Sequence, residues 1–248
     1  MYLEMIYRPR AMADQVIYPD HARKLVAKAC DGFGIPTIFN RDQDGKSISL
    51  VYERERPGIW YGVPPAIAFD GGKGFIRIYG IGQEGKEILG AHAAMLFSAI
   101  MRRHGLTAVE MKEGTCGIRQ SPYVIPHRIR RLLVAKKLAS SRYTHAPVTE
   151  PEAVAAIRYA VVSGLVSQAR LLGDRHAESM IPREEDVDVL DGAPLLVNIS
   201  GEKNYAAGYK NVVVGLPLRL RGPWQCGHLK SRGYGFIRPV DPMMGRRE

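Results

Sequence analysis

Apolar and polar residues alternate with period two over residues 2–8, and Pro9 closes the run, so the chain is predicted to open on a β-strand. The spacing then becomes helical over 19–30. Leu25, Val26 and Ala29 supply an apolar face, and Pro19 and Asp20 suit the first turn. Short strands are expected at 35–39 and 47–52, with a turn at 42–45 between them, and a further strand at 74–81. Ile88, Leu89, Ala93, Leu96, Phe97 and Ile100 recur every three or four positions, which predicts a helix over 86–104, and 106–111 returns as a strand. Strand, helix, two strands, helix, strand is the order of a ferredoxin-like unit.

A second pattern begins near Ser121. Residues 123–136 read as a strand rich in arginine and lysine. A long helix is predicted over 149–172: Thr149 and Glu152 have capping-box spacing, Pro151 falls in the first turn and Gly173 stops it. Val154, Ile157, Val161, Leu165 and Leu172 form its apolar stripe. An acidic segment over 183–191 follows, then strands at 195–199, 212–220 and 235–240. The fold class predicted is therefore α+β, with two ferredoxin-like (RRM-like) folds in tandem over 1–120 and 121–248. The second carries a helical insertion at about 149–190.

A hydrophobic fraction of 46% suffices for packed cores. Cys30, Cys116 and Cys226 lie far apart with no CxxC pair, which argues against a disulfide scaffold and for a reducing, cytoplasmic setting. The first residues lack the apolar core of a signal peptide, and no apolar run reaches the ~18 residues of a membrane span. The net charge of +10 changes the picture more, because it favours a polyanionic partner. That charge is clustered. Between positions 119 and 142 there are seven Lys and Arg and no acid; between 203 and 247 there are nine against Asp241 alone. Tyr205, Tyr209, Trp224, Tyr234 and Phe236 interleave with the second cluster. Arginines on strands hold phosphates while aromatic faces stack on unpaired bases, so nucleic acid is the expected ligand.

The most specific local signal is the segment 227–236, GHLKSRGYGF. It is not a dinucleotide fingerprint, because an apolar strand and not a helix follows it. Lys230 and Arg232 between glycines suit close approach of a polyanion to main-chain N–H groups. A late glycine-rich loop with basic residues, ending in GYGF and a final strand, resembles the C-terminal signature of the RAMP-superfamily CRISPR proteins. The basic strand at 121–131 (SPYVIPHRIRR), the helix over 149–172 and the run 194–205 (PLLVNISGEKNY) resemble the repeat-processing endoribonucleases of that superfamily, especially the type I-F branch. The long helix and the chain length are most similar to the type IV processing enzymes. That resemblance implies CRISPR repeat RNA as substrate, the mature guide RNA as a retained product, and other subunits of a CRISPR effector complex as partners.

The resemblance also implies cleavage by the 2′-OH beside the scissile phosphate, with no cofactor. Cys226 and His228 are the only close pair of ligand-type residues, without a second pair at a zinc-like spacing. Two residues compete for the leading catalytic role on the first helix. His21 offers an imidazole that can serve as a base; Arg23 offers a permanent charge for the phosphate. Arg41 is a third candidate. Candidate RNA contacts are Lys24, Arg128, Arg130, Arg131, Lys136, Lys137, Lys203, Lys230, Arg232 and Arg238, with Arg158 and Arg170 joining Gln168 on the long helix. A non-catalytic RAMP subunit that only binds guide RNA is the competing reading.

Overall fold

The computed structural model describes residues 1–31, 35–39, 52–56, 59–62, 65–135, 146–198 and 205–240. The chain divides into two compact units: Met1–Thr115 with Ser231–Gly233, and Cys116–Lys230 with Tyr234–Glu248.

In the first unit β1 (Tyr2–Pro9) leads to α1 (Pro19–Ala29). A two-stranded ribbon of β2 (Tyr52–Arg56) and β3 (Ile59–Gly62) precedes β4 (Ile67–Gly72) and β5 (Phe75–Ile81). The helices α2 (Gly82–Ala91) and α3 (Ala93–His104) then return the chain to β6 (Leu106–Gly114). The main sheet has the order β4-β5-β1-β6, antiparallel throughout, which is the ferredoxin-like arrangement. Period two places Leu3, Met5 and Tyr7 of β1, with Ile76 and Ile78 of β5, on the face that α1 covers through Ala22, Leu25, Val26 and Ala29. On the other face Arg77 bridges three strands: its Nε lies 2.8 Å from Glu4 of β1, and its Nη1 lies 3.8 Å from Asp70 of β4.

Several boundaries differ from those expected. Residues 36–39 form a 3₁₀ turn, not a strand, and the second strand of the unit is Ile67–Gly72 instead. The expected turn at 42–45 and most of the strand at 47–52 lie outside the described residues. The single helix expected over 86–104 is two. His92 breaks it, at φ −100° and ψ 2°, with its Nδ1 2.8 Å from the Ile88 carbonyl at the end of α2.

The second unit contains β7 (Gly117–Ala135), α4 (Pro151–Leu171), α5 (Arg175–Met180), β8 (Asp188–Asn198), β9 (Tyr205–Arg221), β10 (Trp224–Gln225) and β11 (Phe236–Pro239). Its sheet order is β10-β11-β7-β9-β8. Strands β11, β7, β9 and β8 repeat the order of the first unit, with α4 as the first crossover. The second crossover holds no α-helix: β10, a loop and a 3₁₀ turn at Lys230–Arg232 span it. The core lies between α4 (Ala153, Ile157, Val161, Leu165) and the sheet residues Ile129, Leu132, Val212, Val214, Leu216 and Leu218. Pro151 does open α4, but the expected capping box is not formed, because the N-cap is Glu150 and has no side-chain bond.

His127 of β7 is fully buried, and its Nδ1 lies 2.9 Å from the Ile125 carbonyl. Its Nε2 is also buried and has no hydrogen-bond partner among the described residues. Burial holds its pKa below the ordinary value of 6.5, partly opposed by the backbone bond. The unfolded chain therefore binds this proton more tightly than the folded one. Stability is full above the unfolded value and falls as pH drops below it. We expect the urea midpoint to fall between pH 7.5 and pH 5, and His127→Asn, which keeps a donor to Ile125, to flatten that dependence. An unchanged slope in the variant would remove His127 as its source.

Candidate nucleic-acid interface

The start of α1 in the first unit carries two of the expected catalytic residues, His21 and Arg23. His21 and Lys24 are exposed, three positions apart on one side of the helix, while Ala22, Leu25 and Val26 face the core. Arg23 is half-buried. Its Nη2 donates to the Phe39 carbonyl at 3.1 Å, and its guanidinium lies 5.7 Å from the centre of the Phe39 ring. Phe39 itself stacks on Phe69 of β4, with centroids 5.7 Å apart and planes within 2°. The 3₁₀ turn at 36–39 therefore holds Arg23 in one orientation, which a strand there would not explain. Gly233 also packs into this unit. Its φ is +82°, and a Cβ at that position would collide with the Phe69 carbonyl oxygen and with Pro19 at the head of α1. Glycine is needed there on both counts. Arg232, its neighbour, is partly exposed. Arg41 lies outside the described residues.

In the second unit the loop before β11 is fixed from α4. Gln168, fully buried, donates from Nε2 to the Pro223 carbonyl and accepts from the Gln225 N–H at 2.9 Å. Gln225 in turn donates to the carbonyls of Lys230 at 3.0 Å and Tyr234 at 3.2 Å. Lys230 is partly buried and turns its ammonium onto Ser167 Oγ, 3.2 Å away. Desolvation pushes its pKa down to about 8, with Cys226 opposing. Lys230 thus has a place in the fold of the loop, because its ammonium donates to Ser167 of α4.

The face of the second sheet away from α4 is cationic. Cross-strand neighbours share a face, and two such pairs here carry like charge: Arg119 opposite Arg219, and Arg128 opposite Arg238. Like charges directly opposite destabilise a sheet, so an anionic ligand is the natural partner of this face. Arg130 is exposed on the same strand. The arginines expected on the long helix are otherwise engaged. Arg158 donates from Nε to the Val187 carbonyl at 2.8 Å, and Arg170 forms an ion pair with Glu178 through two bonds of 2.8 and 2.6 Å. Lys136, Lys137 and Lys203 lie outside the described residues. Sequence reasoning missed Ser167 and Gln225 altogether and placed Gln168 on a surface. A polar side chain amid the apolar stripe of α4 was the available signal for all that Gln168 does.

Among the described residues no three His, Cys, Asp or Glu side chains gather where they could hold a metal ion, and no helix is long and apolar enough to cross a membrane. Cys226 is fully buried, with its sulfur 3.5 Å from the Gly235 carbonyl.

Two ferredoxin-like units in tandem, with a glycine-rich loop before the last strand and a cationic sheet face, define the class, an α+β protein of tandem ferredoxin-like architecture. The sequence matches, over residues 7–242, the family described as Type IV CRISPR-associated endonuclease Csf5, and the chain belongs to that family. Among solved structures it is similar to "Csf5, CRISPR-Cas type IV Cas6 crRNA endonuclease", at 20% identity and a TM-score of 0.68, covering 97% of this chain and 99% of that one. It is also similar to a structure of Cas6b, at 16% identity and a TM-score of 0.63, covering 97% of this chain and 100% of that one. A second one, of the CRISPR RNA processing endoribonuclease Cas6b, has 14% identity and a TM-score of 0.53 over the same shares. No curated protein sequence matches the chain.

Gln168 gives a direct test of how the loop is held. Gln168→Leu keeps the volume but strands the Pro223 carbonyl and the Gln225 N–H in an apolar setting. Each buried polar group left unpaired costs about 1–3 kcal/mol, so a loss of roughly 2–6 kcal/mol is expected from denaturant unfolding. A loss below ~1 kcal/mol would show that the loop finds its bonds elsewhere.

Proposed function

We propose that the protein is an endoribonuclease that cuts CRISPR repeat RNA without a metal ion and keeps the mature guide RNA bound, within a CRISPR effector complex in the cytoplasm. The observation that carries this reading is the family match along nearly the whole chain. The geometry at the head of α1 supports it. Internal attack by a 2′-OH needs the hydroxyl deprotonated, the charge on the phosphorane stabilised and the leaving 5′-oxygen protonated. Arg23, held by the Phe39 carbonyl and ring, is a pre-oriented permanent cation suited to the second task. His21, exposed two positions earlier, suits proton transfer. Arg41 is the third residue proposed here.

In this reading residues 1–120 carry the cut and 121–248 hold the RNA. Arg128, Arg130, Arg131 and Arg238 on the second sheet, with Lys24 and Arg232, are the described residues proposed to take phosphates. Lys136, Lys137 and Lys203 extend the set. Arg158, Arg170 and Lys230 contribute through the protein contacts that shape α4 and the loop.

The test is single-turnover cleavage of the cognate repeat transcript in EDTA. Product ends are expected to be a 5′-hydroxyl and a 2′,3′-cyclic phosphate or its opened form. Strict dependence on magnesium would overturn the mechanism. Removing one pre-oriented charge stabiliser costs about 10²–10³ in rate, so Arg23→Ala should slow the cut by that order while changing RNA affinity far less. His21→Ala is the comparison. If both variants cut at the wild-type rate, the site lies elsewhere.

A further inference from the structure

Strand β7 leaves the ladder with β9 for a short stretch. Gln120 stands opposite Leu218 and Ile125 opposite Leu216, so the four residues 121–124 of β7 face Pro217 alone. Proline has no N–H to give, and the extra residues bulge out of the sheet. The bulge is anchored at both sides. Ser121 is buried and its Oγ accepts from the Tyr123 N–H at 3.2 Å. Val124 lies across Gly215 of β9, where a Cβ would come within 2.6 Å of Val124 Cγ1, so the absent side chain is what lets the bulge seat. Between these anchors Tyr123 is 74% exposed, more than any other large hydrophobic residue described.

The surroundings of that ring are cationic along the strand. Arg119, paired across the ladder with Arg219, precedes it, and Arg128, paired with Arg238, follows. Arg119, Arg128 and Arg219 are exposed and have no carboxylate partner among the described residues. Asp188 meets the same Gly215 position from β8, so that side of the bulge carries an acid. An exposed aromatic face on an anchored bulge, with exposed cations to either side along the strand, suits stacking on single-stranded nucleic acid.

We propose that Tyr123 stacks on an unpaired base of the bound RNA, with the Arg119–Arg219 pair holding the phosphate chain beside it. This rests on the reading of the protein as an RNA-binding endoribonuclease and adds a contact that the catalytic residues do not provide. Stacking on an aromatic ring tolerates every base, so the site selects an unpaired nucleotide and not a sequence. Truncation is expected to cost roughly tenfold in affinity, within the range measured for such stacking.

The experiment uses the full chain and repeat RNA carrying 2-aminopurine at each unpaired position in turn. Wild-type protein should quench one or two adjacent positions, and Tyr123→Ala should restore their fluorescence and weaken binding about tenfold. Tyr123→Phe should behave as wild type, while Tyr123→Leu, which keeps apolar bulk without a π-face, should resemble the alanine variant. Because the ring is exposed, unfolding midpoints should stay together across the series. Wild-type quenching and affinity in Tyr123→Ala, with cleavage intact, would overturn the stacking alone and assign the ring to a protein contact. A leucine variant that binds as wild type would also overturn it. A wild-type protein that neither binds nor cuts the RNA would overturn the function on which the proposal stands.

Discussion

The buried amide of Gln168 is the interaction on which the second unit depends. A ferredoxin-like unit normally covers its sheet with two crossover helices, whose backbone polar groups satisfy one another. Here the connection from β9 to β11 has no such helix, and its carbonyls and N–H groups must find partners in side chains. Gln168 from α4 and Gln225 from β10 provide them, joining Pro223, Lys230 and Tyr234 into one network. The long helix is therefore placed by two requirements at once. Its apolar stripe covers the sheet, and its one buried amide holds the glycine-rich loop at a fixed position.

That arrangement changes what the loop's cations can do. Lys230 donates to Ser167 within the fold, and Arg232 is the second partly exposed basic residue of the loop. Exposed charge also lies on the face of the second sheet away from α4, where two pairs of arginines stand opposite one another. A sheet that tolerates such repulsion is stabilised by neutralisation, and binding of an anionic chain supplies it. Counterion release from that chain would make the affinity strongly salt-dependent.

Period-two and helical patterns were enough to read α1, β1, β5, α4 and the overall duplication, because each buries one regular face. Strand β4 escaped notice: Ile67–Gly72 is buried on both faces and shows no alternation. The apolar run 35–39 was read as a strand because five residues cannot separate the two periods, whereas Phe39 is needed as a 3₁₀ residue stacked on Phe69. His92 interrupts a perfect helical period through a side-chain bond that periodicity does not carry. Of the candidate site, charge clustering made Arg128 and Arg238 visible. The partners that engage Arg158, Arg170 and Gln168 within the protein are tertiary, and composition could not reveal them.

The central claim is that the RNA's own 2′-hydroxyl is the nucleophile and that the protein positions and stabilises it. The most direct measurement compares wild-type cleavage of the cognate repeat RNA with that of the same RNA bearing a single 2′-deoxy nucleotide at the scissile position. The account predicts that the substituted RNA is bound with near-wild-type affinity and is not cut. Cleavage of the deoxy-substituted RNA at the same bond and a comparable rate would contradict it.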